Sequence, residues 1–442
     1  MLEPAIDVCS FTRLEHESPL AGSETLNQSA MKYLLSTLGF ALLVCFFLVG
    51  DTNAQLKKTT LVHYMPWYSA KPDSNSWGWH WTMNHFTPDK INKNGRREIA
   101  SHYYPLLGAY DSNDSHVLEC QVLQMKFAGI DGVVVDWYGV SKANDYPDIH
   151  RNTLHLIRFI EKANLKFAIC YEDQSVKQMI AGKTIKQEDS LKQGQADLNW
   201  IDKNWFPSKS YVKDRNGNPI LLVFGPQHFE KDDWRQMRAG LTHNPTMHGL
   251  PHLTAAAEFD GSLGWIPVSG GKDISTETWR KYLADLYSRA EGETPEPVIA
   301  TAFSQFHDIY KQANLHESYG YLDGRKGKTF DETLELAFAS KASIVQVATW
   351  NDYGEGTMIE PTEEFGYRYL ERIQAKVKSN TDTTKTLFQF NFDDLRLPLE
   401  LFKLRKKKDN SELKLKELDR ISDLMFQSKV VEARAAIKSF QN

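Results

Sequence analysis

The sequence predicts an α/β fold, a (β/α)8 TIM barrel followed by a short helical C-terminal extension. Nearly continuous apolar runs such as "IDGVVVDWYG" (130–139) read as strands buried on both faces, the mark of a parallel sheet covered by helices. These runs alternate with stretches of helical spacing along most of the chain, which makes repeated βα units. The stretch from Thr59 to Lys376 has the usual size of an eightfold barrel with its loops. An open nucleotide-binding sheet would need a glycine-rich turn between a strand and the next helix, and the sequence contains none.

The first predicted strand is "TTLVHYM" (59–65), followed by a helix over 115–129 with Ser115 as its cap and by the strand at 130–139. A helix near 151–163, the strand "KFAICYED" (166–173), a helix near 190–204 and the strand "PILLVFG" (219–225) continue the alternation. Beyond an unclear middle (229–271) come a helix over 276–290, the strand "PVIATAF" (297–303), a helix over 329–342, the strand "SIVQVATW" (343–350) and a helix over 363–376. About seven strands are legible, and an eighth is expected in the middle, near 253–259 or 265–269. From about Ser379 the chain mixes charge with apolar positions three and four apart, as in two short amphipathic helices. The basic run Lys403–Lys408 reads as a solvated helix face with acidic neighbours close by.

The chain has 442 residues, of which 41% are hydrophobic, enough to bury a large core. A formal net charge of -5 with dispersed basic residues leaves no footprint for nucleic acid. The 11 Trp and 18 Tyr point instead to carbohydrate, because aromatic faces stack on the C–H faces of sugars. From Met31 the sequence reads as a secretory signal: Lys32, an apolar run from Tyr33 to Gly50 and the small-residue ending Thr52-Asn53-Ala54. The expected organisation is an over-extended N-terminus (1–30), a signal peptide (31–54), the barrel (55–378) and the helical extension (379–442). The mature protein is expected in the periplasm or outside the cell, with no stable membrane insertion. Of the four cysteines, Cys9 and Cys45 precede the expected cleavage, and Cys120 and Cys170 read as buried thiols. No metal-ligand motif appears, so neither metal nor cofactor is expected.

In a parallel barrel the loops after the strand C-termini form the active face. Four strand ends there carry an aromatic, a carboxylate or both: "HYMPWY" (63–68), "DWYG" (136–139), "YED" (171–173) and "TWNDYGEG" (349–356). Tyr64, Trp67, Tyr68, Asp136, Trp137, Tyr138, Glu172, Trp350 and Asn351 are therefore candidates for a glycan cleft. The last end delivers Asp352, Glu355 and Glu360 within nine positions. Glycosidic hydrolysis needs an acid for the leaving oxygen and a second carboxylate as base or nucleophile. Asp352 and Glu355 supply such a pair, with Gly354 and Gly356 allowing the loop to bend. Repulsion between two close carboxylates raises the proton affinity of one and keeps it an acid.

"WNDYGEGTMIEPT" (350–362) resembles the motif of glycoside hydrolase family 99, the endo-acting alpha-mannosidases and alpha-mannanases, whose strand ends in Asn-Glu-Trp-X-Glu-Gly-Thr-X-Ile-Glu. The likeness includes "VHYMPWY" (62–68), "YYPLLGAYDSND" (103–114) and "AGIDGVVVDWYG" (128–139), and "WGWHW" (77–81) is similar to the family's Trp/His-rich substrate loop. By this resemblance Trp79, His80, Trp81 and Glu360 join the substrate-binding set. It also implies that Glu355 is the general acid and base, and that Asp352 stands where a glutamate deprotonates the sugar 2-hydroxyl. The shorter aspartate is a departure. "TWNDYGE" (349–355) also resembles family 71, inverting fungal alpha-1,3-glucanases.

The expected function is an exported, endo-acting hydrolase of an alpha-linked polysaccharide or glycan. A non-catalytic glycan-binding protein on the same scaffold would keep the aromatics and relax the carboxylates. A lyase would ordinarily need a metal or a basic cluster.

Overall fold

In the computed structural model the described residues are 58–268, 270–380, 388–407 and 411–441. The expected signal segment, Cys9, Cys45 and Ala54 lie outside them. Eight parallel strands close a barrel: β1 (Thr59–Tyr64), β2 (Gly132–Trp137), β3 (Lys166–Tyr171), β4 (Ile220–Val223), β5 (Thr246–Gly249), β6 (Gly261–Leu263), β7 (Val298–Phe303) and β8 (Ile344–Ala348). Neighbours in sequence are neighbours in the sheet, and β8 returns to β1 with Thr59 opposite Ile344 and Val62 opposite Val347.

The side-chain period of two gives each strand an inner and an outer set. Leu61, Val134, Ala168, Cys170, Leu222, Leu263, Ile299 and Ile344 form one buried cluster, the packing inside the barrel. Val62, Val133, Val135, Phe167, Ile169, Leu221, Val223, Val345 and Val347 belong to the larger cluster between the barrel and its helices. Cys120 and Cys170 are buried free thiols, as expected.

The surrounding helices are α1 (Ser115–Ala128), α2 (Tyr146–Lys162), α3 (Gln174–Ala181), α4 (Ser190–Asn204), α5 (Lys231–Ala239), α6 (Thr276–Ser288), α7 (Lys328–Ala339) and α8 (Arg368–Ser379). Asp114, not Ser115, caps α1, its carboxylate accepting the His116 N–H at 2.8 Å. α2 begins ahead of its apolar period because Pro147 sits in its first turn. α8 starts at Arg368 and not near 363, because Thr362 first makes bridges to Pro105 and Gly366.

The middle of the chain corrects the sequence reading. Two strands lie there, β5 and β6, and neither falls at 253–259 or 265–269: the first contains a 3-10 turn, Ala255–Ala257. "TMHG" and "GSL" are too short and too polar to register as apolar runs. A Cβ on Gly261 would stand 2.1 Å from the Pro297 carbonyl oxygen, so close strand packing excludes a side chain there.

Among its described residues the C-terminal segment forms three helices, not two: α9 (Leu397–Arg405), α10 (Glu412–Phe426) and α11 (Val430–Gln441). They pack with the barrel into one compact unit. The basic run is not wholly a solvated face: Arg405 is buried against Glu119 of α1 at 2.7 Å, and Lys406 pairs with Asp114 at 2.5 Å. Among the described residues no helix is long and apolar enough to cross a membrane.

Candidate functional site

At the C-terminal mouth of the barrel lies a cleft of about 550 Å3. Four carboxylates line it, Asp136 from the end of β2, Glu172 just past β3, and Asp352 and Glu355 from the loop after β8. Trp67, Tyr138, Phe224, Trp265, Tyr310 and Tyr319 supply aromatic walls. Among the described residues that line it, none is Lys or Arg.

The loop after β8 is fastened from within and from both sides. Asp352 donates its backbone N–H to Thr349 Oγ1 at 2.9 Å, and its carboxylate accepts the Glu355 N–H at 3.0 Å. Asn351 accepts from the Met65 N–H at 2.8 Å and donates to the Met65 carbonyl at 2.9 Å, tying the loop to the end of β1. The Tyr68 hydroxyl donates to the Asn351 carbonyl (2.9 Å) and accepts the Tyr353 N–H (3.0 Å). On the other side His307 N–H reaches the Glu355 carbonyl at 2.8 Å and Ile309 N–H the Gly354 carbonyl at 3.0 Å. Gly356 has φ +66°, and a Cβ there would lie 2.5 Å from the His307 carbonyl oxygen, so this turn admits only glycine.

Burial pushes the proton affinity of Asp352, Glu355 and Glu172 up, because the cleft solvates their charged forms poorly. Asp352 is raised to about 7 by burial and by Asp136, against the backbone N–H bonds that favour its anion. Glu355 is raised well above the usual carboxylate range by burial first and then by Asp352, Asp308 and Asp136. Glu172 is raised by burial and by Asp136.

Asp136, Glu172, Asp352, Glu355, Trp67 and Tyr138 come together in the cleft. Trp79 and His80 line a side pocket of about 150 Å3 with Asp352, Tyr310 and Gly354; Tyr68 touches this pocket from a buried position. The His80 ring is stacked on Trp67 at 4.2 Å.

Tyr64, Trp81, Trp137, Trp350, Asn351 and Glu360 do not line the cleft, and side-chain direction explains each case. Tyr64 has the outward parity of its strand and bonds Gln121 of α1 at 2.7 Å. Trp137 likewise turns outward, against Trp200 and Trp205. Trp350 is enclosed in the core between barrel and helices, and Trp81 donates to the Tyr110 carbonyl under Tyr68. Glu360 sits behind the loop, accepting from Gln121 Nε2 (2.6 Å), Tyr353 OH (2.7 Å) and Tyr110 OH (3.0 Å), with burial raising it to about 7.

Sequence reasoning missed His63, Met65, Phe224, Trp265, Tyr310 and Tyr319. His63 and Met65 were within reach of the strand period, since they share the parity of inward Leu61. So were Phe224, which shares the inward parity of Leu222 at the end of β4, and Trp265, which shares that of Leu263 just past β6; Tyr310 and Tyr319 come from an irregular loop with no local signal. His63 Nδ1 lies 3.0 Å from Gln346 Oε1 and its Nε2 is 3.7 Å from Asp136. His63, Asp136 and Cys170 bring their ligand atoms within 4.8 Å of one another, a loose set beside zinc bonds of about 2.0–2.3 Å.

A closed parallel barrel whose mouth gathers carboxylates among aromatic rings has the build of a glycoside hydrolase. Residues 55–188 match the model of glycosyl hydrolase family 99. The chain is 34% identical over 346 residues to a glycoprotein endo-alpha-1,2-mannosidase-like protein of Danio rerio, covering 70% of this chain and 73% of the relative. Identity is 35% over 342 residues to the glycoprotein endo-alpha-1,2-mannosidase of Rattus norvegicus, covering 67% of this chain and 66% of that one. In fold it is similar to the family 99 endo-alpha-mannosidase of Bacteroides thetaiotaomicron, with a TM-score of 0.55 at 18% identity, over 75% of this chain and 100% of that chain. The chain belongs to glycosyl hydrolase family 99.

Proposed function

We propose that this glycoside hydrolase is exported and acts within alpha-mannosidic glycan chains, with Glu355 as general acid and base and Asp352 as the base that activates the attacking group. The observation that carries the assignment is the pairing at the cleft. Glu355 is raised by burial and by the Asp352 carboxylate, so it holds a proton for the leaving oxygen. Asp352 is held in place by two bonds within its own loop and is raised only to about 7, so it ionises near neutrality. Exposed aromatics on two sides, Trp79 (40%) and Tyr319 (48%), suit a chain lying across the cleft. The relatives' names supply the mannosidic, endo-acting class; the signal-like segment at 31–54 supplies export.

Glu355→Gln keeps shape and hydrogen bonding but removes the transferable proton. Turnover of an alpha-1,2-linked mannan is expected to fall at least about a hundredfold with folding unchanged. Near-wild-type turnover in that variant, with Glu360→Gln inactive, would move the acid to Glu360.

A further inference from the structure

His63 stands on the floor of the cleft with one ring nitrogen, Nε2, that is closed to solvent and has no hydrogen-bond partner. Its buried side chain points inward from β1, between Gln346 of β8 and Asp136 of β2. The other ring nitrogen, Nδ1, lies 3.0 Å from Gln346 Oε1. Gln346 is oriented by its own Nε2, which donates to the Gly264 carbonyl at 3.3 Å. Exchanging the two ends of that amide would set two oxygens face to face. Gln346 therefore presents His63 with an acceptor, and Nδ1 carries the hydrogen between them.

That leaves Nε2 facing Asp136 Oδ1 at 3.7 Å, too far for a direct hydrogen bond and within reach of an ion pair. Without a proton, Nε2 would set a lone pair against a carboxylate in a site with no water to screen them. With a proton, the same geometry is attractive, and each charge has the partner that a buried charge needs. The other neighbours do not compete for it. Trp265 meets the ring edge-on at 4.8 Å, and burial keeps the Cys170 thiol protonated, well above its usual range. Among the described residues that line the cleft, His63 is the one side chain able to carry positive charge, beside Asp136, Glu172, Asp352 and Glu355. Burial and Asp136 disfavour the Asp352 anion, and His63 acts in the opposite direction, as the N–H bonds of the loop do.

We propose that His63 is a positioning residue for Asp352: protonated on both nitrogens, it offsets the charge of Asp136 and holds Asp352 in the anionic form that the reaction uses. This rests on the hydrolase reading above.

NMR of the full chain, labelled at histidine nitrogen and aspartate carboxyl carbon, follows both groups against pH. Signals missing from His63→Gln and from Asp352→Asn identify them. In His63→Gln the Asp352 carboxyl should titrate about one pH unit higher. The acid limb of kcat/KM on an alpha-1,2-linked mannan should move by the same amount, which a merely structural role would not produce. In Asp136→Asn the ring should lose its Nε2 proton at lower pH than in the wild type, and this variant decides the matter if His63→Gln does not fold. An Asp352 titration unmoved in folded His63→Gln, or a ring titration unmoved in Asp136→Asn, overturns the proposal. A wild type that cleaves no mannan sinks the catalytic reading, and the two titrations still decide where the charge lies.

Discussion

At the level of single residues the departure at position 352 matters most. Aspartate is one methylene shorter than the glutamate of the family motif, which draws the carboxylate back by roughly an ångström, enough to cost about a hundredfold in rate if nothing compensates. The loop that carries Asp352 is fastened to the end of β1 through Asn351 and to Tyr68 through its backbone, so a defined loop position can offset the shorter side chain. Asp352 acting on the sugar 2-hydroxyl predicts retention of configuration, and Asp352 activating a water predicts inversion. Retention is expected, because the chain belongs to family 99 and the family 71 likeness is confined to the short motif at 349–355. Proton NMR of the first product from an alpha-mannoside checks it: an initial alpha-anomer agrees, and an initial beta-anomer sinks the assignment.

At the level of elements, what the sequence made legible and what it hid have the same physical source. Long strands with bulky apolar side chains, such as β2 and β3, announce themselves, whereas β5 and β6 hold three or four residues with Gly, Ser and His among them and owe their place to neighbours far away in sequence. The same strands explain which of the candidate residues meet at the cleft. The ends of β1 and β2 were found, but parity sends Asp136 and Tyr138 into the cleft and Tyr64 and Trp137 away from it. Tyr310 and Tyr319 come from a loop that contributes to a small three-stranded sheet, which no local pattern marks. The C-terminal helices were legible as helices, not as partners of α1. Glu119 of α1 accepts both Arg405 Nε (2.7 Å) and Nη2 (3.0 Å) as well as Ser422 Oγ (2.5 Å), and the Arg405 and Glu119 side chains are only 6% and 8% exposed. Removing one partner strands a buried charge, at a cost of about 3–5 kcal/mol. Arg405→Ala should therefore lower the thermal midpoint clearly, while the same change at exposed Lys407 should leave it unmoved; equal midpoints would show that the tail is not held through this pair.

At the scale of the molecule the many buried acids set how stability depends on pH. Asp352, Glu360 and Asp197 are each raised to about 7, mainly by burial, from ordinary values near 4. A raised value means that the folded state binds protons more tightly than the unfolded state, so the contribution of each group is fully present below its unfolded value and is lost as pH rises through 7. Asp202 and Asp214 have the opposite sign: hydrogen bonds from backbone and side-chain donors lower them, so their contribution is lost as pH falls below the ordinary carboxylate range. The two sets together place maximal stability near about pH 4, with stability declining progressively from there to about pH 7, so the thermal midpoint falls by several degrees from mildly acidic to mildly alkaline buffer. Asp197 allows this to be tested away from the cleft. It accepts from the Val140 N–H at 2.8 Å, Tyr171 OH at 2.9 Å and Gln193 Nε2 at 3.0 Å, and Asp197→Asn keeps an acceptor there without a titrating charge. The variant should show a shallower decline between pH 5.5 and 8.5 than the wild type. A wild-type midpoint that is flat or rises over that interval, or a variant whose decline is as steep, would mean that these buried carboxyls do not titrate with folding.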